Sequence, residues 1–443
     1  MRLEMRIHHS LTIFCMVLGL AILGGCASEK SKQKPLPGKR ISVLEWQQQL
    51  NADQDAMAED LNLPEPRSNA FWAQSGGIAD HAMRHLSLNP NGLKRAWKTS
   101  IGKGSNRDFR LVTTPIVVDK TVYAMDTRGL VTALNLADGK KIWQVNIVPK
   151  KENPTSLTGG LAFDEGRLFV ADGFGYLLAL NPANGQKVWQ VSLNVPARAS
   201  PTVADGRVYV VTLANELIAM SAEDGQVLWR HQGDQVMAGI LGAPSPAVTG
   251  NTVIVTYSSG DVVALRVENG EESWSDNVTG MNAQRGVTTL SDIRGLSVID
   301  HDRVYVANAS SRMLAIDLRT GERAWQRDFG TLNTPWASGG FIFLITAQDD
   351  VVALRQTDGK MRWATSLNVG KKDKNNPNLW VGPVLAGNRL IIAGSNKELV
   401  ELNPHDGKII RRTKTGLDVQ IPPVVAHDTL LLLSDDGDLV AYR

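Results

Sequence analysis

Two histidines, His81 and His85, stand four residues apart. On a helix that spacing would set two imidazoles on one face as metal ligands. No third ligand follows nearby, so the pair reads as surface residues and no metal is expected. Ser434-Asp-Asp-Gly-Asp438 has the carboxylate density of a calcium loop. It falls between two strands, where Asp126-Thr-Arg-Gly129 and Ser258-Ser-Gly-Asp261 also fall, and reads as turn chemistry. There is no Gly-rich phosphate loop, nucleophile elbow or His-Glu-x-x-His pattern. The residues give no catalytic constellation, so the chain is expected not to be an enzyme and to need no cofactor. A formal charge of +2, with 47 basic and 45 acidic residues, announces no nucleic-acid-binding face.

What must position any functional residue is a repeat. Ala133-Leu-Asn-Leu-Ala-Asp-Gly-Lys-Lys-Ile-Trp143 returns as Ala179 to Trp189, Ala219 to Trp229, Ala264 to Trp274, Ala315 to Trp325 and Ala353 to Trp363. A period of about 45 residues with strand and turn content marks a β-propeller. In the first full unit, Pro115 to Val118, Thr121 to Met125, Leu130 to Leu134 and Lys141 to Gln144 are four strands, joined by tight turns. Fourth strands carry Trp97, Trp143, Trp189, Trp229, Trp274, Trp325 and Trp363, and an eighth carries Arg411 in the Trp slot. The first, Leu93 to Ser100, lacks three preceding strands, and the chain ends on three strands lacking a fourth. The expected fold is all-β: an eight-bladed propeller of four-stranded antiparallel blades, closed by the N-terminal strand pairing into the C-terminal blade. Closure leaves no open edge between first and last blades. The tryptophans are expected to pack blade on blade. Arg411 predicts a looser seam between the last two blades.

Residues 1–25 read as a secretory signal: Arg2 and Arg6, an apolar run from Leu11 to Ile22, then Leu23-Gly-Gly-Cys26. The last four residues resemble a bacterial lipobox, which would make Cys26 the acylated first residue, with Ala27 implying the outer membrane. The only other cysteine, Cys15, leaves with the signal, so the mature chain has no internal disulfide. Residues 26–70 are expected to be a lipidated tether, with basic residues from Lys30 to Arg40 near lipid headgroups and a weak helix from Glu45 to Leu63. The ring is expected over 71–443, with Phe71-Trp72 and Gly76-Gly77 packing along its outside.

The Ala-Leu-Asn-x-x-x-Gly-x-x-x-Trp repeat resembles that of the PQQ-type propellers. With the lipobox, the short leash and closure by the N-terminal strand, the chain is similar to the BamB family, lipoproteins of the outer-membrane β-barrel assembly (BAM) complex. That resemblance implies a non-enzymatic scaffold that binds BamA-like periplasmic POTRA domains and other BAM subunits and aids insertion of unfolded β-barrel precursors. It also implies that two loops bind the partner. One holds Val236, Met237, Gly239, Ile240 and Leu241; the other holds Leu290, Ser291, Asp292 and Arg294. The family often has Arg where Gly239 stands and an acid where Arg294 stands. Apart from the resemblance, the first loop is apolar where a surface connection is expected. The second lies in the longest Trp-to-Trp interval, 51 residues from Trp274 to Trp325. A third loop, Lys371 to Leu379, is basic and reads as solvated. The alternative is a periplasmic quinoprotein-like oxidoreductase. The resemblance to quinoprotein dehydrogenases would imply an adjacent Cys–Cys disulfide, which a mature chain with one cysteine cannot form.

Overall fold

The computed structural model describes residues 50–150, 152, 159–234, 244–279, 293–309, 312–368 and 378–443. Residues 50–443 form one packed unit. Its strands make eight antiparallel sheets, the blades, numbered here along the chain. Blades 1 to 7 span 116–146, 160–192, 202–232, 247–277, 298–327, 336–366 and 380–414. Blade 8 takes its three inner strands from 424–442 and its outer strand from Arg95–Ser100. The eight-bladed propeller read from the repeat, with its closing strand, is therefore the fold. Lys94 and Arg443 seal the closure by exchanging backbone hydrogen bonds of 2.7 and 3.0 Å.

Inner strands are apolar along their length because neighbouring blades cover both faces. Arg207–Val211 and Thr429–Leu433 are examples, buried at nearly every position. Outer strands alternate, as Lys141–Asn146 does. Each outer strand also carries a one-residue bulge just before its Trp or Arg411, at Ile142, Val188, Leu228 and Ile410 among others. The extra residue turns outward, which exposes these four side chains by about half, and it swings the next residue onto the neighbouring blade.

There the repeat shows its purpose. Trp229 lies opposite Ala219 across the outer strand pair and packs against Tyr209 with ring centroids 5.9 Å apart. Ala leaves room for both rings. The indole then meets Gly270 in the turn of blade 4, where a Cβ would stand 2.5 Å from the ring and φ is +74°. Its Nε1 donates to Val267 O at 2.9 Å. Trp97, Trp143, Trp274, Trp325 and Trp363 donate likewise to Leu136, Pro182, Leu318, Gln356 and Pro404. Trp189 Nε1 has no partner among the described residues.

The seam between blades 7 and 8 differs from the looser packing expected at Arg411. Glu401 fills the Ala slot opposite Arg411. Arg389 Nε lies 2.7 Å from one carboxylate oxygen and Arg411 Nε 4.0 Å from the other. The inner layers of both blades belong to one continuous apolar core. The exchange has a cause: where the other tryptophans meet a turn, blade 8 has the break between the strands Asp438–Tyr442 and Arg95–Ser100, which no turn joins. Arg411 finds Gly92 there instead, with a guanidinium nitrogen 2.6 Å from where a Cβ would be.

Phe71–Trp72 runs inside the ring, not outside as expected. It adds a fifth strand to blade 1 by pairing with the innermost strand, Ile116–Val118. That edge offers unpaired backbone groups that face the channel. Among the described residues of the longer stretch expected, helix covers Gln54–Ala58, and it rests on the outer strand of blade 6. Asp53 Oδ2 accepts from Met361 N at 2.7 Å, and Arg355 pairs with Asp55 and Glu59. The packed unit thus begins about twenty residues before position 71. No described helix is long and apolar enough to cross a membrane.

In blades 1 and 2 the turn between the second and third strands opens on an aspartate that caps backbone N–H groups. Asp126 uses both oxygens, accepting from Arg128, Leu130 and Lys103. Asp172 accepts from Phe174 and Tyr176 on one oxygen only, and the other is buried with no partner among the described residues. Burial raises its carboxyl to about 6, against the lowering effect of those N–H groups. A carboxyl whose folded pKa lies above its unfolded value holds its proton longer in the fold. Its contribution to stability is complete below about pH 4 and lost as pH rises through 6. Asp172→Asn is expected to match the parent at pH 4 and to exceed it by about 1–3 kcal/mol at pH 7. Urea unfolding at both pH values checks this, and a pH-independent difference would refute it.

Candidate functional site

The connections from each outer strand to the next innermost strand all leave at one end of the ring. Both loops singled out from the sequence are such connections, on either side of blade 4. Val236, Met237, Gly239, Ile240, Leu241, Leu290, Ser291 and Asp292 lie outside the described residues, as do Cys26 and residues 371–377 of the third loop. The described ends of the first two loops, from Gln232 to Ala247 and from Asn277 to Val298, thus bracket a single blade.

Arg294 is described, and it does not stand on the outer surface. It lines a cavity of about 160 Å³ in the mouth of the central channel, with Leu296, Asn333, Trp336 and Trp380. Gly295 explains the inward course. Its backbone lies so close to blade 6 that a Cβ would stand 2.3 Å from Asn333 O. Burial lowers the pKa of Arg294, and no carboxylate pairs with it among the described residues. Trp72 and His81 also line it, and no Asp or Glu lines the cavity among the described residues. Trp72 and Trp336 stack at 6.4 Å. Such a cup offers a cation and aromatic faces.

His81 and His85 do not share a helix face. The backbone between them is irregular, with positive φ at His81 and Arg84. His81 Nδ1 lies 2.7 Å from Ser297 O, and burial holds its pKa near 4, so the ring is neutral and Nδ1 is the donor. His85 contacts Pro64 O through Nδ1 and accepts from Asn388 N through Nε2. Each histidine pegs a different stretch of chain. No group of three His, Cys, Asp or Glu is placed to hold a metal ion among the described residues. Ser434 caps its turn by accepting from Asp438 N at 3.1 Å.

Two features escaped the sequence reading. Glu401 was legible as the single departure from Ala in its slot, paired ten residues on with the single departure from Trp. The inner course of residues 67–88 had only a faint signal, the Gly76-Gly77 pair beside Trp72.

Eight blades, seven of their eight seams built on Ala, Gly and Trp, define a propeller of the quinoprotein repeat type. The fold is shared with a quinohemoprotein alcohol dehydrogenase from Comamonas testosteroni, with a TM-score of 0.66 and 14% identity, covering 87% of this chain and 82% of that one. The chain belongs to the family described as outer membrane protein assembly factor BamB, whose model matches residues 44–157, 150–365 and 369–443. It is 30% identical over 347 residues to the outer membrane protein assembly factor BamB of Escherichia coli (strain K12), covering 77% of this chain and 86% of the relative. The crystal structure of BamB from Moraxella catarrhalis superposes with a TM-score of 0.67 at 19% identity, over 80% of this chain and all of that one.

Proposed function

We propose that this chain is a non-enzymatic accessory scaffold of outer-membrane β-barrel assembly. Residues 1–25 are removed, Cys26 is acylated, and the protein faces the periplasm from the outer membrane on a tether that starts at Cys26 and is packed against the ring from residue 50. The ring binds POTRA-type domains of the central assembly protein and helps present unfolded β-barrel precursors. Membership of the BamB family, over nearly the whole chain, is the observation that carries this reading. The partner surface is formed by Val236, Met237, Gly239, Ile240 and Leu241 together with Leu290, Ser291 and Asp292. That two such loops are rooted on either side of one blade, at one end of the ring, supports their acting as a single surface. Arg294, turned to the channel, braces the base of the second loop and does not touch the partner.

The test is affinity purification of the tagged, full-length protein from detergent-solubilised outer membranes, with mass spectrometry and an absorbance scan. Barrel-assembly proteins without a quinone chromophore are expected. Joint replacement of Leu290 and Asp292 by alanine is expected to lower partner recovery roughly tenfold, as loss of central contacts does, with the melting temperature unchanged. Undiminished recovery would dismiss those residues as the site. A quinone band without assembly partners would make the protein a quinoprotein-like oxidoreductase.

A further inference from the structure

The innermost strand of a propeller blade leaves one edge of backbone groups facing the channel, and in this ring a single segment meets those edges in order. Asn69 O accepts from His427 N at 2.9 Å and its Nδ2 donates to Val425 O, both on blade 8. Phe71–Trp72 pairs with blade 1. Ala73 O then accepts from Phe163 N on blade 2 at 2.8 Å. The side-chain amide of Gln74 imitates a peptide group, accepting from Val203 N at 2.7 Å and donating to Val203 O at 3.3 Å on blade 3. Ala79 O accepts from Val248 N on blade 4, and Asp80 O from Ile299 N on blade 5. Arg84 O accepts from Trp336 Nε1 on blade 6 at 2.6 Å. Leu86 exchanges hydrogen bonds with Leu385 and Gly387 on blade 7. So tight a circuit requires left-handed backbone at Gly76, Gly77, His81 and Arg84. A Cβ on Gly77 would meet the Met83 side chain at 2.4 Å.

The geometry points to an internal ligand: we propose that residues 67–88 are recognised by the eight inner edges as a peptide partner would be, with Trp72, His81 and His85 as anchors, and that they close the ring from within. Recognition is by strand addition and peptide mimicry at the edges, with register set by the anchors. All three anchors are buried, and two of them, Trp72 and His81, also line the central cavity. The segment therefore runs round the inside of the ring from blade to blade and supplies part of the cavity wall. It also caps edges that would otherwise accept strands from another chain. Closure by the outer strand Arg95–Ser100 and closure by this inner strap are separate contacts, carried in series on one stretch of sequence.

The test keeps the full chain and cuts it after folding. Protease sites inserted after Asp60 and after Asn91, both exposed, would release 61–91 as a separate piece. The piece is expected to stay with the ring through gel filtration and native mass spectrometry, and to exchange with a labelled synthetic copy of itself. A copy carrying Trp72→Ala should compete roughly tenfold less well, the loss typical of a buried aromatic anchor. A scrambled copy should not compete. Loss of the piece from a ring that keeps its melting temperature would overturn the proposal. Equal binding of the scrambled peptide would overturn it too, since the edges would then hold any extended chain.

Discussion

Glu401→Ala is expected to cost about 3–5 kcal/mol of folding stability, the range for breaking a buried ion pair from one side. The side chains of Glu401 and Arg389 are 2% and 4% exposed. Arg389 gives its other donors to Asn89 O at 2.7 Å and Gly387 O at 3.4 Å, so it cannot swing to water without breaking the chain's entry into blade 8. Removing the carboxylate leaves a guanidinium with no counter-charge in the seam, with Arg411 close by. Arg411→Ala should cost far less, because that side chain is 43% exposed and its nearest carboxylate oxygen is 4.0 Å away. Restoring the repeat with Glu401→Ala and Arg411→Trp together should not recover the parent's stability. The buried Arg389 remains, and blade 8 offers no complete turn for an indole to rest on. Urea denaturation of the four proteins decides the matter. Equal costs for Glu401→Ala and Arg411→Ala would show that the pair is merely a surface contact.

Trp229→Ala should be comparably severe, about 3–5 kcal/mol, as for other large aromatic side chains removed from a core. The indole is 8% exposed and reaches from blade 3 to Gly270 and Val267 O of blade 4. Alanine leaves a void between Tyr209 and Gly270, and neither can fill it, one being fixed in a strand and the other in a left-handed turn. Phenylalanine separates packing from hydrogen bonding. Trp229→Phe keeps most of the area and loses the bond to Val267 O, which adds about 1–2 kcal/mol to the repacking cost. Trp189→Phe removes an indole whose Nε1 has no acceptor among the described residues, so only the repacking cost is expected there. If the two phenylalanine variants unfolded at the same urea concentration, the Nε1 bonds would contribute nothing to the seams.

The Ala and Gly of the repeat have their reasons in these same contacts. Ala219 clears the space above the indole, and Gly270 clears the space below it on the next blade. The motif encodes a joint between units, which is why it recurs with the blade and not with the strand. The same logic shows why Glu401 and Arg411 depart together. Both belong to the joint that meets the break in blade 8 between its C-terminal strand and its closing strand.

Blade count, strand order, turns and the closing strand were all legible in the sequence, because each rests on contacts between residues within about 45 positions of one another, or on the simple count of unpaired strands. Tight turns dictate antiparallel pairing, and Trp spacing dictates register. What lay beyond that range was decided only by the tertiary structure. His81 and His85 looked like a pair, yet one is held by Ser297, 216 residues away, and the other by Pro64 and by Asn388, 303 residues away. Arg294 looked like part of a partner loop, yet Gly295 draws it into the channel. Phe71 and Trp72 looked like an outer wrapping, yet ring closure gathers the inner strand edges of all the blades around one channel, where a single segment can satisfy their backbone groups in turn.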